Sequence, residues 1–395
     1  MVQFSKVSTI LHASEIREIL KVTENPEIIS FAGGLPAPEL FPVEQMKAVD
    51  LAILEKEGKQ ALQYSTTEGY VPLRKQIAAR MKSAFQTDCS YENLLVTAGS
   101  QQGLSLCGQL FLNEGDVVLV ESPTYLGAIT AFNVNFPEFI EVPTDDKGMI
   151  PEELEKILDT NDKVRLIYVI PDFQNPTGIT WPLERRKAFM EVINKHNIPV
   201  IEDDPYGELR YDGEYLPTLK SMDTQGNVIF LGSFSKILMP GLRLGWMLAS
   251  KEILEKAVML KQCVDLQSST YAQRQASYYI DMYDLDAHVQ MIKELYGKRR
   301  DLMYNTMKEY FPEGLTFTYP EGGLFTWVTL PKGYDAKELM PKVIAEKVAY
   351  VPGGAFYPNG GQDNHFRLNY SNMPEERIIE GVKRLAKVLK VELEK

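Results

Sequence analysis

The chain has 395 residues, 44% of them apolar and 24% charged, a composition typical of globular proteins and enough for two or three domains with a sizeable core. A formal net charge of -12 opposes a nucleic-acid or anionic-membrane surface as partner. Three widely spaced cysteines (Cys89, Cys107, Cys263) and four scattered histidines (His12, His196, His288, His365) argue against a disulfide framework and against a bound metal.

The first residues, Met1-Val-Gln-Phe-Ser-Lys-Val7, lack the basic stretch and apolar core of a signal peptide, and no apolar run is long enough to span a bilayer. The cytoplasm is the expected location. Short β-rich apolar runs follow at Leu94–Thr97, Val117–Glu121, Phe139–Val142, Leu166–Ile170, Val200–Asp203, Val228–Gly232 and Leu244–Leu248. Helical patterns separate most of them, among them Gln101–Leu112, Pro151–Leu158 and Leu183–His196. Alternating strands and helices predict βαβ units around a mostly parallel sheet, an α/β fold. Beyond residue 285 the pattern changes to an amphipathic helix at Ala287–Phe311, a β-rich stretch at Leu315–Leu330 and a last helix at Pro374–Glu394. The expected organisation is an N-terminal segment (1–49), a large α/β domain (50–285) and a smaller α+β domain (286–395) that the N-terminal segment joins.

Open α/β sheets bind ligands outside the carboxyl ends of their strands, so the residues following each run are the candidates. Leu94–Thr97 leads into Ala98-Gly-Ser-Gln-Gln102, where small residues and free amides at a helix start suit an anion. Val117–Glu121 leads to Tyr125, an aromatic able to stack on a flat ring. Leu166–Ile170 leads into Pro171-Asp-Phe-Gln-Asn-Pro-Thr-Gly178, and Val200–Asp203 ends in Asp203-Asp-Pro-Tyr206. Val228–Gly232 leads to Ser233-Phe-Ser-Lys236. Each has a plain structural reading: an N-cap at Gly99-Ser100, a core tyrosine, a turn at Asn175-Pro-Thr-Gly178, a capping aspartate. Five such residue types at successive strand ends are harder to read that way.

The run Leu231-Gly-Ser-Phe-Ser-Lys-Ile-Leu-Met-Pro-Gly-Leu-Arg-Leu-Gly-Trp246 carries the chemistry. Apolar neighbours disfavour the ammonium form of Lys236 and leave its amine nucleophilic. Ser233, Ser235 and Arg243 suit a phosphate dianion. A nucleophilic lysine beside a phosphate cup suggests a pyridoxal phosphate Schiff base. An edge strand with a snorkelling lysine and a surface arginine fits the same run.

Taken together, these motifs resemble the class I/II aminotransferases, pyridoxal-phosphate enzymes of fold type I, over nearly the whole chain from about Ser14. The most specific matches are Asn175-Pro-Thr-Gly178, Asp203-Asp-Pro-Tyr206, and Ser233-Phe-Ser-Lys236 with Arg243-Leu-Gly245. Ser30-Phe-Ala-Gly-Gly-Leu-Pro-Ala-Pro-Glu-Leu-Phe-Pro42 and Gln63-Tyr-Ser-Thr-Thr-Glu-Gly-Tyr70 resemble the 2-aminoadipate and multi-substrate (aromatic, kynurenine-type) subgroup.

The resemblance implies a large domain with a seven-stranded sheet between helices and makes Lys236 the Schiff-base lysine and proton shuttle. Asp203 would face the pyridine nitrogen, and Tyr206 and Asn175 the phenolic oxygen. Tyr125 would stack on the ring and share the catalytic centre with Lys236 and Asp203. Gly99, Ser100, Gln101, Ser233, Ser235 and Arg243 would hold the phosphate, joined by Tyr64 from a neighbouring subunit of a homodimer with shared active sites. Arg367 would grip the substrate α-carboxylate beside Asn175 and the backbone of Gly34. Arg17, on an early helix, matches an arginine that reaches a side-chain carboxylate, and it also reads as an ordinary solvated residue. Phe31, Leu35, Pro36 and Leu40 would welcome aromatic or aliphatic side chains. The implied activity is ping-pong transamination between an L-amino acid (2-aminoadipate, glutamate, aromatic or branched-chain) and a 2-oxo acid such as 2-oxoglutarate. A pyridoxal-phosphate lyase or decarboxylase on the same fold stays open, as does a non-enzymatic effector module. Some relatives in the subgroup are fused behind a DNA-binding helix-turn-helix domain; none is expected before residue 14.

Overall fold

Aliphatic runs of four to six residues, bounded by turn residues, make strands that can be buried on both faces. Seven of them build the main sheet of the computed structural model, which describes residues 2–10 and 25–393. They are β1 (Leu94–Thr97), β2 (Val117–Glu121), β3 (Glu138–Val142), β4 (Val164–Val169), β5 (Val200–Asp204), β6 (Val228–Ser233) and β7 (Gly245–Leu248). Their spatial order is β1-β7-β6-β5-β4-β2-β3. The contiguous set β6-β5-β4-β2-β3 is parallel. Only β7 runs against its neighbours, pairing Gly245 with Thr97 on one side and with Ser233 on the other. The sheet is the mostly parallel seven-stranded one expected.

Side chains alternate between two helical layers. Val118, Val120, Leu166, Ile201 and Met247 pack with the helices Ser100–Phe111, Leu126–Asn133 and Lys251–Val264. Val117, Leu119, Ile167, Val169 and Val200 pack with Pro151–Thr160 and Leu183–His196. Period-two alternation in which both faces are apolar is what sandwiches a parallel sheet between helices.

Five of the seven strands differ from the expected bounds by one or two residues, and for two of them the reason is identifiable. β4 starts at Val164 and tolerates Arg165 because that side chain points out at the strand's entry. It ends at Val169, where the Ile170 N–H leaves the ladder and donates to Glu121 Oε2 at 2.9 Å. β3 starts at Glu138, whose exposed side chain is permitted on a sheet edge.

A second, antiparallel sheet combines β8 (Thr316–Phe317), β9 (Phe325–Thr329), β10 (Val351–Pro352) and β11 (His365–Asn369) in the order β8-β9-β11-β10. The long helices Leu285–Tyr310 and Glu375–Leu393 contribute Ile292, Tyr296, Met303, Ile378, Val382 and Leu385 to the same core. Residues 28–32 cross this region: Ile29-Ser30 pair in parallel with Val348-Ala349, and Asn369 N–H donates to the Phe31 carbonyl at 2.8 Å. That crossing delivers Ala32 and Gly34 to the gap between the two sheets. Among the described residues no helix is long and apolar enough to cross a membrane, and no cluster of histidine, cysteine and acidic residues is arranged to hold a metal ion.

Candidate active site

Parallel pairing puts the carboxyl ends of β2, β4, β5 and β6 on one edge. Because β7 is antiparallel, it is the start of that strand that lies on the same edge. Arg243, two residues ahead of Gly245, therefore arrives beside the turn that follows β1. A methyl group on Gly245 would stand 2.8 Å from the Gly232 carbonyl and 2.9 Å from Ser100 N, so this close approach requires glycine. Gly99 takes a left-handed φ of 78°, and a Cβ there would lie 2.9 Å from Arg243 Nη2. The result is a cup made of Gly99, the helix start at Ser100-Gln101, Ser233, Ser235 and the exposed guanidinium of Arg243. The Gln101 side chain is committed elsewhere, donating to the Gly127 carbonyl at 2.9 Å, so Gln101 offers the cup its backbone.

Asp203, the last residue but one of β5, has its carboxyl fully enclosed. Tyr168, in the middle of β4, donates its hydroxyl to Asp203 Oδ2 at 2.8 Å, and Oδ1 has no partner. Burial pushes the Asp203 carboxyl up to about 7, against the opposing effect of the Tyr168 bond. Lys236, three residues beyond β6, donates to the Gly34 carbonyl at 2.6 Å. Burial, followed by the positive charges of Arg367 and Arg243, brings its ammonium down to about 8. An amine in that range is substantially neutral at mildly alkaline pH and is a usable nucleophile and base.

The far wall comes from the second sheet. Arg367 on β11 is buried, donating from Nη1 to Asn175 Oδ1 at 2.7 Å and from Nη2 to the Ala32 carbonyl at 2.8 Å. Its guanidinium lies 4.0 Å from the centre of the Phe325 ring, and its Nε has no partner. Desolvation lowers it to about 10, still charged at neutral pH. Asn175 also donates to the Tyr206 hydroxyl at 3.3 Å, which joins the two strand-end loops. Tyr125 caps the helix Leu126–Asn133, and its ring occupies the space above Gly127, where a Cβ would come within 2.4 Å of it. Burial, and then the nearby Asp203 charge, raises the Tyr125 phenol.

These residues enclose a cavity of about 400 Å³ between the sheets. Gly34, Gly99, Ser100, Gln101, Tyr125, Asn175, Asp203, Tyr206, Ser233, Ser235, Lys236, Arg243 and Arg367 all line it. Three of its buried polar atoms are unpartnered: Ser100 Oγ, Asp203 Oδ1 and Arg367 Nε. A hydroxyl in an anion cup, a carboxylate and a guanidinium, spread over one cavity, fit a phosphate, a protonated ring nitrogen and a carboxylate. Pyridoxal phosphate carrying an amino acid has those three groups.

Other expectations fall outside the cavity. Tyr64 lies on an exposed loop with 77% of its surface accessible. Arg17 lies outside the described residues. Phe31 is fully buried against Gly381 in the core, Leu35 is exposed, and neither they nor Pro36 and Leu40 line the cavity. The apolar lining comes instead from Leu104, Leu126, Ile170, Pro205, Pro240 and Phe325. Sequence reasoning overlooked Tyr168 and Phe325. The available signal for Tyr168 was a hydroxyl inside an otherwise aliphatic run; Phe325 had none, because only pairing of β9 with β11 sets it beside Arg367.

The model of the family "Aminotransferase class I and II" matches residues 37–385. The aromatic-amino-acid aminotransferase 1 of Thermococcus litoralis is 46% identical, covering 99% of this chain and 95% of that protein. The 2-aminoadipate transaminase of Thermus thermophilus is 41% identical, covering 98% and 96%. The crystal structure of kynurenine aminotransferase from Pyrococcus horikoshii, in complex with PMP, superposes with a TM-score of 0.94 at 44% identity, covering 99% of this chain and 97% of that one. The chain belongs to the class I and II aminotransferases. It is a transferase of fold type I whose cofactor is pyridoxal 5′-phosphate.

Proposed function

We propose that this chain transaminates a broad set of L-amino acids, aromatic and 2-aminoadipate-like donors among them, with 2-oxoglutarate as acceptor. The single observation that carries this reading is the set of unpartnered atoms of Ser100, Asp203 and Arg367 around one cavity with Lys236. Names of relatives that act on aromatic amino acids, 2-aminoadipate and kynurenine support the breadth.

When bound, pyridoxal phosphate supplies a carbonyl that joins an amine and a ring that accepts the electron pair left at the substrate α-carbon. The protein's residues do the rest. The cup of Gly99, Ser100, Gln101, Ser233, Ser235 and Arg243 holds the phosphate. Asp203, oriented by Tyr168, holds a proton at the ring nitrogen. Asn175 and Tyr206 set hydrogen bonds at the phenolic oxygen, and Tyr125 covers one ring face. Arg367 offers its free N–H groups to the α-carboxylate, with Asn175 and the Gly34 backbone beside it. With cofactor and substrate in place, Lys236 would accept the α-proton at Nζ and give it up again as the amino group is handed over. Its lowered pKa suits both directions.

The same reading places Tyr64 at the phosphate of a partner subunit in a homodimer; its exposure is compatible with that role. Arg17 is assigned to a side-chain carboxylate. The chain is read as the N-terminal segment 1–49, the cofactor-binding domain 50–285 and the small domain 286–395, acting in the cytoplasm without nucleic acid.

The test is the visible spectrum of the cofactor-loaded protein after adding single amino acids without acceptor. The absorbance of lysine-bound cofactor should give way to that of pyridoxamine phosphate and return on adding 2-oxoglutarate. Release of ammonia or carbon dioxide without that exchange would overturn the proposal.

A further inference from the structure

One fully buried lysine takes no part in the chemistry above. Lys261, near the end of the helix Lys251–Val264, has no solvent-exposed surface. Burying an ammonium is costly unless acceptors surround it. Here three residues supply them: Gln102 Oε1 at 2.7 Å, both oxygens of Asp265 at 2.9 Å and Ser268 Oγ at 3.0 Å.

Each of these residues is tied to the turn that forms the cup or to the strand that leads into it. Gln102 Oε1 also accepts from the Ala98 N–H at 2.8 Å, and Gln102 Nε2 donates to Asp265 Oδ2 at 2.7 Å. Ser268 donates to the Val96 carbonyl at 3.2 Å. The network therefore fixes residues 96, 98 and 102, which bracket Gly99-Ser100-Gln101 on both sides. A lysine that only stapled its own helix end would need Asp265 and nothing from residues 96–102.

We propose that Lys261 is a positioning residue for the cofactor phosphate: through Gln102, Asp265 and Ser268 it holds the 98–102 turn in the shape the phosphate requires. This rests on the reading of the cup given above. The same segment reaches the loop that bears Tyr64, since the Ser65 N–H donates to Gln267 Oε1.

The test compares pyridoxamine 5′-phosphate with pyridoxamine, which lacks the phosphate; neither carries an aldehyde, so both bind reversibly. Affinities are read from tryptophan fluorescence of the full-length protein stripped of cofactor. In Lys261→Met the phosphate-bearing ligand should bind about tenfold more weakly, the scale of one lost bond to a charged group, with pyridoxamine unchanged. Asp265→Asn, at a partly exposed site, should shift the same ratio in the same direction and serves if Lys261→Met does not fold. Wild-type affinity for pyridoxamine phosphate in the folded variants overturns the proposal, as does equal weakening of both ligands. Arg243→Ala separates the two layers. If it leaves the ratio unchanged, the cup itself has been misread; if it lowers the ratio and the Lys261 and Asp265 variants do not, only the positioning role fails.

Discussion

Replacing Arg367 with lysine keeps the charge and removes the fork. A guanidinium has five N–H groups. Two are engaged with Asn175 Oδ1 and the Ala32 carbonyl, and three remain, including the unpartnered Nε. Those three can grip a carboxylate with two parallel bonds. An ammonium has three donors, so a lysine that keeps both structural bonds has one left. The change therefore removes one charge-assisted hydrogen bond from the α-carboxylate, about 1.5–3 kcal/mol. At about 1.4 kcal/mol per tenfold change, kcat/KM should fall roughly 10- to 150-fold. Every amino-acid donor carries the same α-carboxylate, so the factor should be the same for aromatic, aliphatic and dicarboxylic donors. Initial rates across such a panel, with a thermal melt to verify folding, measure it. A loss confined to dicarboxylic donors would refute the assignment, because Arg367 would then serve the side chain.

Lys236→Ala should bind cofactor without the visible absorbance of a lysine-bound carbonyl, and an unaltered spectrum would remove Lys236 from its role. With Lys236 at about 8, its amine is neutral above that pH and protonated below it, so cofactor capture by the stripped protein should slow about tenfold per pH unit below 7. Stopped-flow rates that stay flat from pH 6 to 9 would contradict this. Gly99→Ala forces a left-handed φ of 78° on a residue with a Cβ and pushes that Cβ against Arg243. It should cost about 1–3 kcal/mol of stability in denaturant unfolding and weaken pyridoxamine phosphate more than pyridoxamine. Equal stability of the two proteins would mean that the turn relaxes freely.

Much of this site is legible in the sequence. Alternation of aliphatic runs with amphipathic helices dictates a parallel sheet between helices, and such a sheet puts ligands at its strand ends. Residue types after Thr97, Glu121, Ile170, Glu202 and Gly232 could therefore be collected along the chain, and each of these strand ends contributes to the cavity lining. Local sequence carries that information because strand period and turn chemistry act over a few residues.

What the tertiary structure alone decided are contacts between segments far apart in sequence. The antiparallel setting of β7, which brings Arg243 to Gly99, depends on pairing with β1 and β6. Arg367 meets Asn175 across 192 residues, and Tyr168 finds Asp203 because β4 and β5 pair in one particular register. Phe31, apolar and near Gly34 in sequence, looked like a pocket residue and was drawn into the core by the crossing of residues 28–32 over the second sheet. Composition, period and motif fixed which groups this protein offers to a ligand. Register and packing fixed which group holds which, since those depend on pairings whose energy no single segment contains.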